Sequence, residues 1–293
     1  MAVSSKTLKL FCPQWQGAAN PALYHGAQLL YSALQDSPAF KTIATPLTYS
    51  LATHNSVVGQ SQLVTQAQAA HHIIDQIAPA RIVTIGGDCG VELTPVSFLK
   101  RQYGQDFAVL WLDAHADLNT PQSSPSGHFH GMPLRALLGE GDAAILKQAF
   151  SFLNAEQVCL IGTRELDRPE AQFVSDRALP IFSAMAINRG NFDSLFTTLQ
   201  QTSCKQLYIH LDLDVLDSDE FLHTACPSPR GVSSQGLIHF LNIMNQNFEI
   251  VGFSLLEFMP RGDRPQALAQ LVELIAQVHL PFPIFDPSSI SSA

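Results

Sequence analysis

The chain has 293 residues, 46% of them hydrophobic and only 14% charged, which is ample for a large independent core. A formal charge of −9 is spread along the sequence with no basic run, which argues against nucleic acid or an anionic membrane surface as a partner. No apolar stretch reaches the ~18–20 residues of a membrane helix. The five cysteines (Cys12, Cys89, Cys159, Cys204, Cys226) lack paired spacing, so no disulfide framework is expected. The segment before Pro13 has no apolar core of signal-peptide length, and the expected location is the cytoplasm.

In chain order, strand-length apolar runs fall at Leu8–Phe11, Pro46–Tyr49, Arg81–Ile85, Phe107–Leu112, Gln157–Ile161, Leu179–Phe182, Gln206–Leu213 and Ile250–Leu256. Most are continuously apolar rather than alternating, as in a parallel sheet covered by helices on both faces. Helical periodicity lies between them: around Ala22–Leu34, from Leu63 to Ile77 before Pro79, and around Asn191–Leu199, Ser234–Met244 and Gln266–Val278. Alternating strand and helix signals predict an α/β fold, one three-layer αβα domain over residues 1–293 with a mainly parallel sheet of about eight strands. Two segments, Thr120–Gly131 and Ser218–Ser234, are rich in Ser, Pro and Gly and each follows a strand. Ligands of parallel α/β sheets bind just beyond the carboxyl ends of the strands, so both loops are placed for function. The tail after Leu280 is expected to be a coil ending in disorder.

Acids stand where apolar strands end. The run FAVLWL continues into Asp113, His115 and Asp117, and residues two apart point to one side of an extended chain. The run YIHLDLDV puts Asp212 and Asp214 on one face, with Leu211, Leu213 and Val215 on the other. Unpaired buried charge is strongly unfavourable, and a dication between the carboxylates removes that penalty. Taken singly, each motif could be a polar turn or a solvated edge. Together they supply one imidazole and four carboxylates, a ligand set suited to Mn²⁺ and similar ions.

These motifs carry a resemblance. Asp113-Ala-His115-Ala-Asp117 followed by Asn119-Thr120-Pro121 resembles the second metal motif of arginases and agmatinases, and Asp212-Leu-Asp214-Val-Leu-Asp217 resembles their third. Gly86-Gly87-Asp88-Cys89-Gly90 sits where that ureohydrolase family has Gly-Gly-Asp-His-Ser. The match runs in order from about Arg81 to Pro260; the earlier CPQWQGAANPALYHGAQLL resembles the family's opening only loosely. The resemblance implies an arginase-like fold and a divalent metal cofactor, Mn²⁺ by preference, with one or two ions per subunit. Asp113 and Asp212 would bridge, His115 and Asp214 would complete one site, and Asp117 with residue 89 would complete the other. Two ions ~3.5–4 Å apart polarise one bridging water and make hydroxide available near neutral pH.

Cys89 departs from the family's histidine. It could ligate as thiolate and favour a softer ion such as Zn²⁺ or Fe²⁺. It could instead leave the first ion weakly held, or be a buried hydrophobe in a site that has lost one metal. Asp88 is expected to support the ligands rather than bind.

By the same resemblance, Asn119, Ser124 and Ser126 match positions that hold an amino-acid carboxylate, and Asp167 matches one that contacts an α-amino group. Glu170 matches an acid of that segment. His130 matches the proton-shuttling histidine, and His128 stands where arginases have Asn. Glu257 matches a glutamate that pairs with the guanidinium, for which a planar carboxylate fork gives charge and orientation. Read without the resemblance, His130 is a surface-loop imidazole, Asp167 an N-cap and Glu257 a solvated strand end.

The leading expectation is urea release from L-arginine, a small-molecule guanidino substrate. Agmatine, a guanidino acid or a formimino amino acid is the nearest alternative. A single-metal amide hydrolase of the deacetylase sort and a catalytically silent homologue are the others. Family members are commonly trimers or hexamers, and a homo-oligomer is expected on that ground alone.

Overall fold

The computed structural model describes residues 6–33, 40–48 and 50–281. In chain order the strands are β1 (Thr7–Cys12), β2 (Lys41–Thr42), β3 (Thr53–His54), β4 (Val57–Val58), β5 (Arg81–Gly86), β6 (Phe107–Leu112), β7 (Val158–Ile161), β8 (Ile181–Phe182), β9 (Gln206–Asp212) and β10 (Glu249–Leu256). The helices are α1 (Ala22–Ala33), α2 (Gln60–Ile77), α3 (Leu93–Tyr103), α4 (Pro133–Leu137), α5 (Ala143–Leu146), α6 (Arg168–Asp176), α7 (Ala184–Asn188), α8 (Asp193–Gln201), α9 (Ser234–Asn247) and α10 (Arg264–Ala276).

Eight strands form one sheet in the order β2-β1-β5-β10-β9-β6-β7-β8, and every pairing is parallel. Strands β3 and β4 form a separate antiparallel hairpin. Alternate residues of each strand enter opposite cores, as the two-residue period requires. Val83, Ile85, Leu110 and Leu112 pack with α1 and α7 to α10 on one face. Ile82, Val109, Trp111 and Tyr208 pack with α2 to α6 on the other. This is the three-layer architecture expected from continuously apolar strands.

Local chemistry sets the helix ends. Asp167 caps α6 by accepting from the Glu170 backbone N–H, Glu170 returns a bond to the Asp167 N–H, and Pro169 stands in the first turn. Asp263 caps α10 by accepting from the Gln266 N–H, with Pro265 in its first turn. α2 begins after Gly59 and ends at Ala78, both left-handed, before Pro79.

One expected strand does not form. Residues Pro46, Leu47 and Thr48 are irregular, and Tyr49 lies outside the described residues; the edge strand is instead Lys41–Thr42. Pro46 has no N–H for a ladder, and its carbonyl accepts from Trp15 Nε1 at 3.1 Å and Gln16 Nε2 at 3.0 Å. Pro180 likewise shortens the expected Leu179–Phe182 strand to two residues. The hairpin of β3 and β4 was not foreseen. The expected coil after Leu280 lies almost wholly outside the described residues. Among the described residues no helix is long and apolar enough to cross a membrane.

Candidate metal centre

The four central strands β5, β10, β9 and β6 each deliver acids or a thiol at their carboxyl ends. The side chains converge less by strand alternation than by turns that begin where the ladder stops. Asp113 accepts from the His115 backbone N–H at 2.6 Å, and Asp214 accepts from the Ala114 N–H at 2.9 Å. Asp212 accepts from the Asp214 N–H at 2.8 Å, ending β9 and starting a 3₁₀ turn over Leu213–Val215. Short carboxylates commonly capture nearby backbone donors in this way. Asp117 and Glu257 both adopt left-handed backbone, at φ 54° and φ 62°. Such conformations are costly for side chains larger than glycine and persist where surroundings enforce them.

Three groups of donor atoms result. Asp113, His115 and Asp214 form one, with His115 Nδ1 at 3.0 Å from Asp214 Oδ2 and 3.4 Å from Asp113 Oδ1. Cys89, Asp113, Asp117 and His210 form a second; Cys89, Asp212 and Glu257 form a third. The donors of each lie within 4.8 Å of one another. Cys89 Sγ stands 3.3 Å from Asp212 Oδ2. Thus Cys89, Asp113, His115, Asp117, Asp212 and Asp214, drawn from three separate motifs, meet at one place.

The electrostatics suit a cation. Burial and repulsion from Asp113 raise Asp117 well above the ordinary carboxylate range. Burial, Asp214 and Asp113 do the same to Asp212, and burial with Asp113 pushes Asp214 up to about 6. Burial is also the main reason the Cys89 thiol is raised, followed by Asp212 and Asp117. Burial alone would lower His115, but Asp113 and Asp214 win and hold it protonated. In addition, Asp117 Oδ2 and Glu257 Oε2 are buried without a hydrogen-bond partner among the described residues. Crowded carboxylates, a buried thiol and orphaned oxygens fit a bound dication, which reverses each of these shifts.

Asp88 supports the centre from behind. It accepts from Gln14 Nε2 at 2.8 Å, the Gly17 N–H at 2.8 Å and the Gly90 N–H at 2.9 Å. A Cβ at Gly17 or Gly90 would stand within 3 Å of that carboxylate, so both positions need glycine. The loop after β1, weakest in the sequence resemblance, thereby braces the Cys89 turn.

Above the centre lies a cavity of about 420 Å³. Its lining includes Asn119, Ser124, Ser126, Asp167, His128, His130 and Glu257, together with several of the donors. His130 Nδ1 is 3.3 Å from Glu257 Oε1, which also accepts from the Cys89 N–H at 3.1 Å. Burial would lower the His130 pKa, but Glu257 raises it above the ordinary value. Asn119 is engaged at both ends: its Nδ2 donates to Asp167 Oδ2 at 2.8 Å, and its Oδ1 accepts from Ser123 Oγ at 2.7 Å. Ser124 and Ser126 accept from the backbone N–H groups of Gly127 and His128.

Two features escaped the sequence reading. Arg164, at the end of β7, donates to the carbonyls of Gly162, Asp214, Val215, Leu216, Ser228 and Pro229. It ties the Ser218–Ser234 loop to the turn that carries Asp214. The other is His210, two residues before Asp212 and therefore on the same side of β9, which joins the second donor group. Its position in the alternation was the available signal.

A family model described as the arginase family matches residues 27–280. The arginase of Staphylococcus aureus strain COL is 33% identical over 198 residues, covering 66% of this chain and 65% of that protein, so the match spans just under two thirds of the relative. Among solved structures, Entamoeba histolytica arginase in complex with L-ornithine aligns with a TM-score of 0.82 at 20% identity, covering 94% of this chain and 99% of that one. Formimidoylglutamase from Bacillus subtilis aligns with a TM-score of 0.69 at 17% identity, covering 92% and 85%. At these identities the structural likeness speaks for the fold alone.

Proposed function

Since the chain belongs to the arginase family, we propose that it is a metal-dependent ureohydrolase that cleaves the guanidinium C–N bond of L-arginine or a related guanidino compound to release urea. The observation that carries this reading is the character of the cavity. Among the described residues, seven that line it are acidic (Asp117, Glu165, Asp167, Glu170, Asp212, Asp214 and Glu257) and none is Lys or Arg, which suits a cationic substrate above a metal centre.

Asp113, His115 and Asp214 would hold one divalent ion, and Cys89 and Asp117 the other, with Asp113 common to both groups; that Asp212 is shared as well follows from the family resemblance. Mn²⁺ is the preferred ion for the oxygen-rich group. When bound, such ions supply a nucleophilic oxygen from water near neutral pH. Donor groups that share Asp113, rather than a single Asp-His-Asp set, favour this reading over a one-metal amide hydrolase.

The chain's own residues do the rest. Glu257 offers its unpartnered Oε2 to one edge of the guanidinium, fixing charge and orientation. His130, raised by Glu257, carries the proton that the departing amine requires. Asp167 receives the α-amino group, and the Ser124 and Ser126 hydroxyls receive the carboxylate, with Asn119 holding Asp167 in place. One structural domain contains all of these parts. By family likeness the protein is a cytoplasmic homo-oligomer, which sedimentation of the native protein tests.

Because the Asn119 amide is already engaged, carboxylate recognition falls on two hydroxyls, and this favours a second reading in which the substrate lacks that group, as agmatine does. Urea release from metal-loaded protein over arginine, agmatine and guanidino acids, with formamide release followed for formimidoylglutamate, decides between them. Arginine should exceed agmatine in kcat/KM by about tenfold or more, the value of one charge-assisted hydrogen bond. Equal values would remove the carboxylate reading, and no urea, formamide or ammonia from any of the panel would remove the hydrolase reading.

A further inference from the structure

We propose that His210 supplies the imidazole that position 89 lacks, binding the first ion through Nε2 together with the Cys89 thiolate. This rests on the metal-dependent reading above and names a ligand that the family motifs do not contain. His210 lies in β9, directly beside Trp111 of β6 and Ser254 of β10 in the sheet. Its ring stacks on Trp111 with centroids 3.6 Å apart and planes at 14°. The stacking and full burial leave one ring orientation.

The far side of the ring is tied to Glu92. His210 Nδ1 is 2.9 Å from Glu92 Oε1, the same oxygen accepts from Ser254 Oγ, and Glu92 Oε2 accepts from Tyr208 O–H at 2.6 Å. Glu92, Tyr208, His210 and Ser254 are all completely buried. A carboxylate can only accept, so the Nδ1 proton belongs to this bond and Nε2 is the atom turned toward the site. There it stands 3.6 Å from Asp113 Oδ2 and 3.8 Å from Cys89 Sγ. Donors held at 2.0–2.3 Å around a tetrahedral ion are separated by about 3.3–3.8 Å, so these spacings fall at the long end of ligand edges. Carboxylate, imidazole and metal in series is the usual means of fixing a ligand histidine's tautomer and orientation.

Glu92 has no other assignment in the mechanism. A carboxylate completely buried between the sheet and α3 is costly unless it is hydrogen-bonded; here Tyr208 and Ser254 hold it in place, and His210 Nδ1 is its remaining partner. Cys89 and His210 reach the same donor group from neighbouring turns and strands, so loss of an imidazole at one point of the fold is balanced by gain at another. The resulting S/N/O donor set favours a softer divalent ion, such as Zn²⁺, Fe²⁺ or Co²⁺, over the ion held by Asp113, His115 and Asp214.

The test is stripping the whole protein with chelator and titrating it with Co²⁺, following bound metal per chain and thiolate-to-cobalt absorption in the near ultraviolet. The wild type should bind two ions, one showing the thiolate band. His210→Asn, whose amide keeps a donor toward Glu92, should weaken that ion by more than about 100-fold, beyond the 10–100-fold typical of losing an outer partner. Glu92→Gln should weaken it within that lower range. In a Cys89→His background, His210→Asn should lose far less. Two ions with an unchanged band in His210→Asn would overturn the proposal, as would a change confined to the unfolding temperature of the metal-free protein. A wild type that binds no metal would sink the hydrolase reading itself, a separate result. Should His210→Asn fail to fold, wild-type protein loaded with ¹¹³Cd and labelled with ¹⁵N-histidine still decides: nitrogen coupling at both ions supports the proposal, and coupling at one ion only refutes it.

Discussion

Removing the metal should invert the usual dependence of stability on pH. Asp214 is buried and its carboxyl is pushed up to about 6 by burial and by Asp113, against about 3.9 in an unfolded chain. The folded metal-free protein therefore holds the proton more tightly than the unfolded one. A raised acid contributes stability that is fully present below pH ~4 and is lost as pH rises toward 6. Two units correspond to about 3 kcal/mol, of which about 2 kcal/mol falls between pH 4.5 and 7. Asp88, also at about 6 through burial and Glu257, acts in the same direction. So do Asp117 and Asp212, both raised, and His115, whose stabilisation by Asp113 and Asp214 disappears as pH rises through its elevated pKa. Asp113, held low by His115 and His210 despite its burial, opposes them only in strong acid. At 2–4 °C per kcal/mol, the Tm of chelated protein should drop by at least about 4 °C from pH 4.5 to 7. Metal-loaded protein should show the reverse slope, because ligands must lose protons to bind. Thermal unfolding with and without chelator across this range is the assay. A chelated protein whose Tm stays level or climbs would refute the claim that the carboxylates are crowded and uncompensated.

His130→Asn should lower kcat by about 10²–10⁴-fold with little change in bound metal or KM, since it removes proton delivery rather than a ligand; metal analysis beside steady-state urea release checks both halves. Arg164→Met should destabilise the metal-free fold by about 2–3 kcal/mol, as charge-assisted bonds to the Asp214 turn and the 228–229 segment are lost. Its signature in hydrogen exchange should be faster opening of residues 213–232, and unaltered protection there would count against the tether.

Much of this was legible beforehand because the informative signals are local. FAVLWL is apolar at every position, so β6 and its terminal acids were placed to the residue. The DAHAD and DLD motifs carry their own chemistry, and they do meet. What escaped depended on partners distant in sequence. Nothing near Pro46 says that its carbonyl will serve Trp15 and Gln16, thirty residues earlier. Glu92 and His210 are 118 positions apart, and each alone reads as an ordinary polar residue in an apolar run. Strand alternation alone does not aim these side chains, since Asp113 and Asp214 are turned by captured backbone donors after their strands have ended. The roles of His130, Glu257, Asn119, Ser124, Ser126 and Asp167 are read from resemblance, and their gathering around one cavity is what makes them testable.

The strand order has a consequence for assembly. β5 and β6 are consecutive in the chain's main sheet, yet two strands separate them, and those two are the last to be synthesised. Without residues 206–256 the sheet order leaves β5 and β6 on separate inner edges, the one leading to Cys89 and the other to Asp113, with no strand to join them. Pairing over such separations is slow and leaves edges open to wrong partners. Any ion that needs Cys89 and Asp113 together must therefore wait for β9 and β10: without those strands nothing in the sheet brings the two side chains to one place.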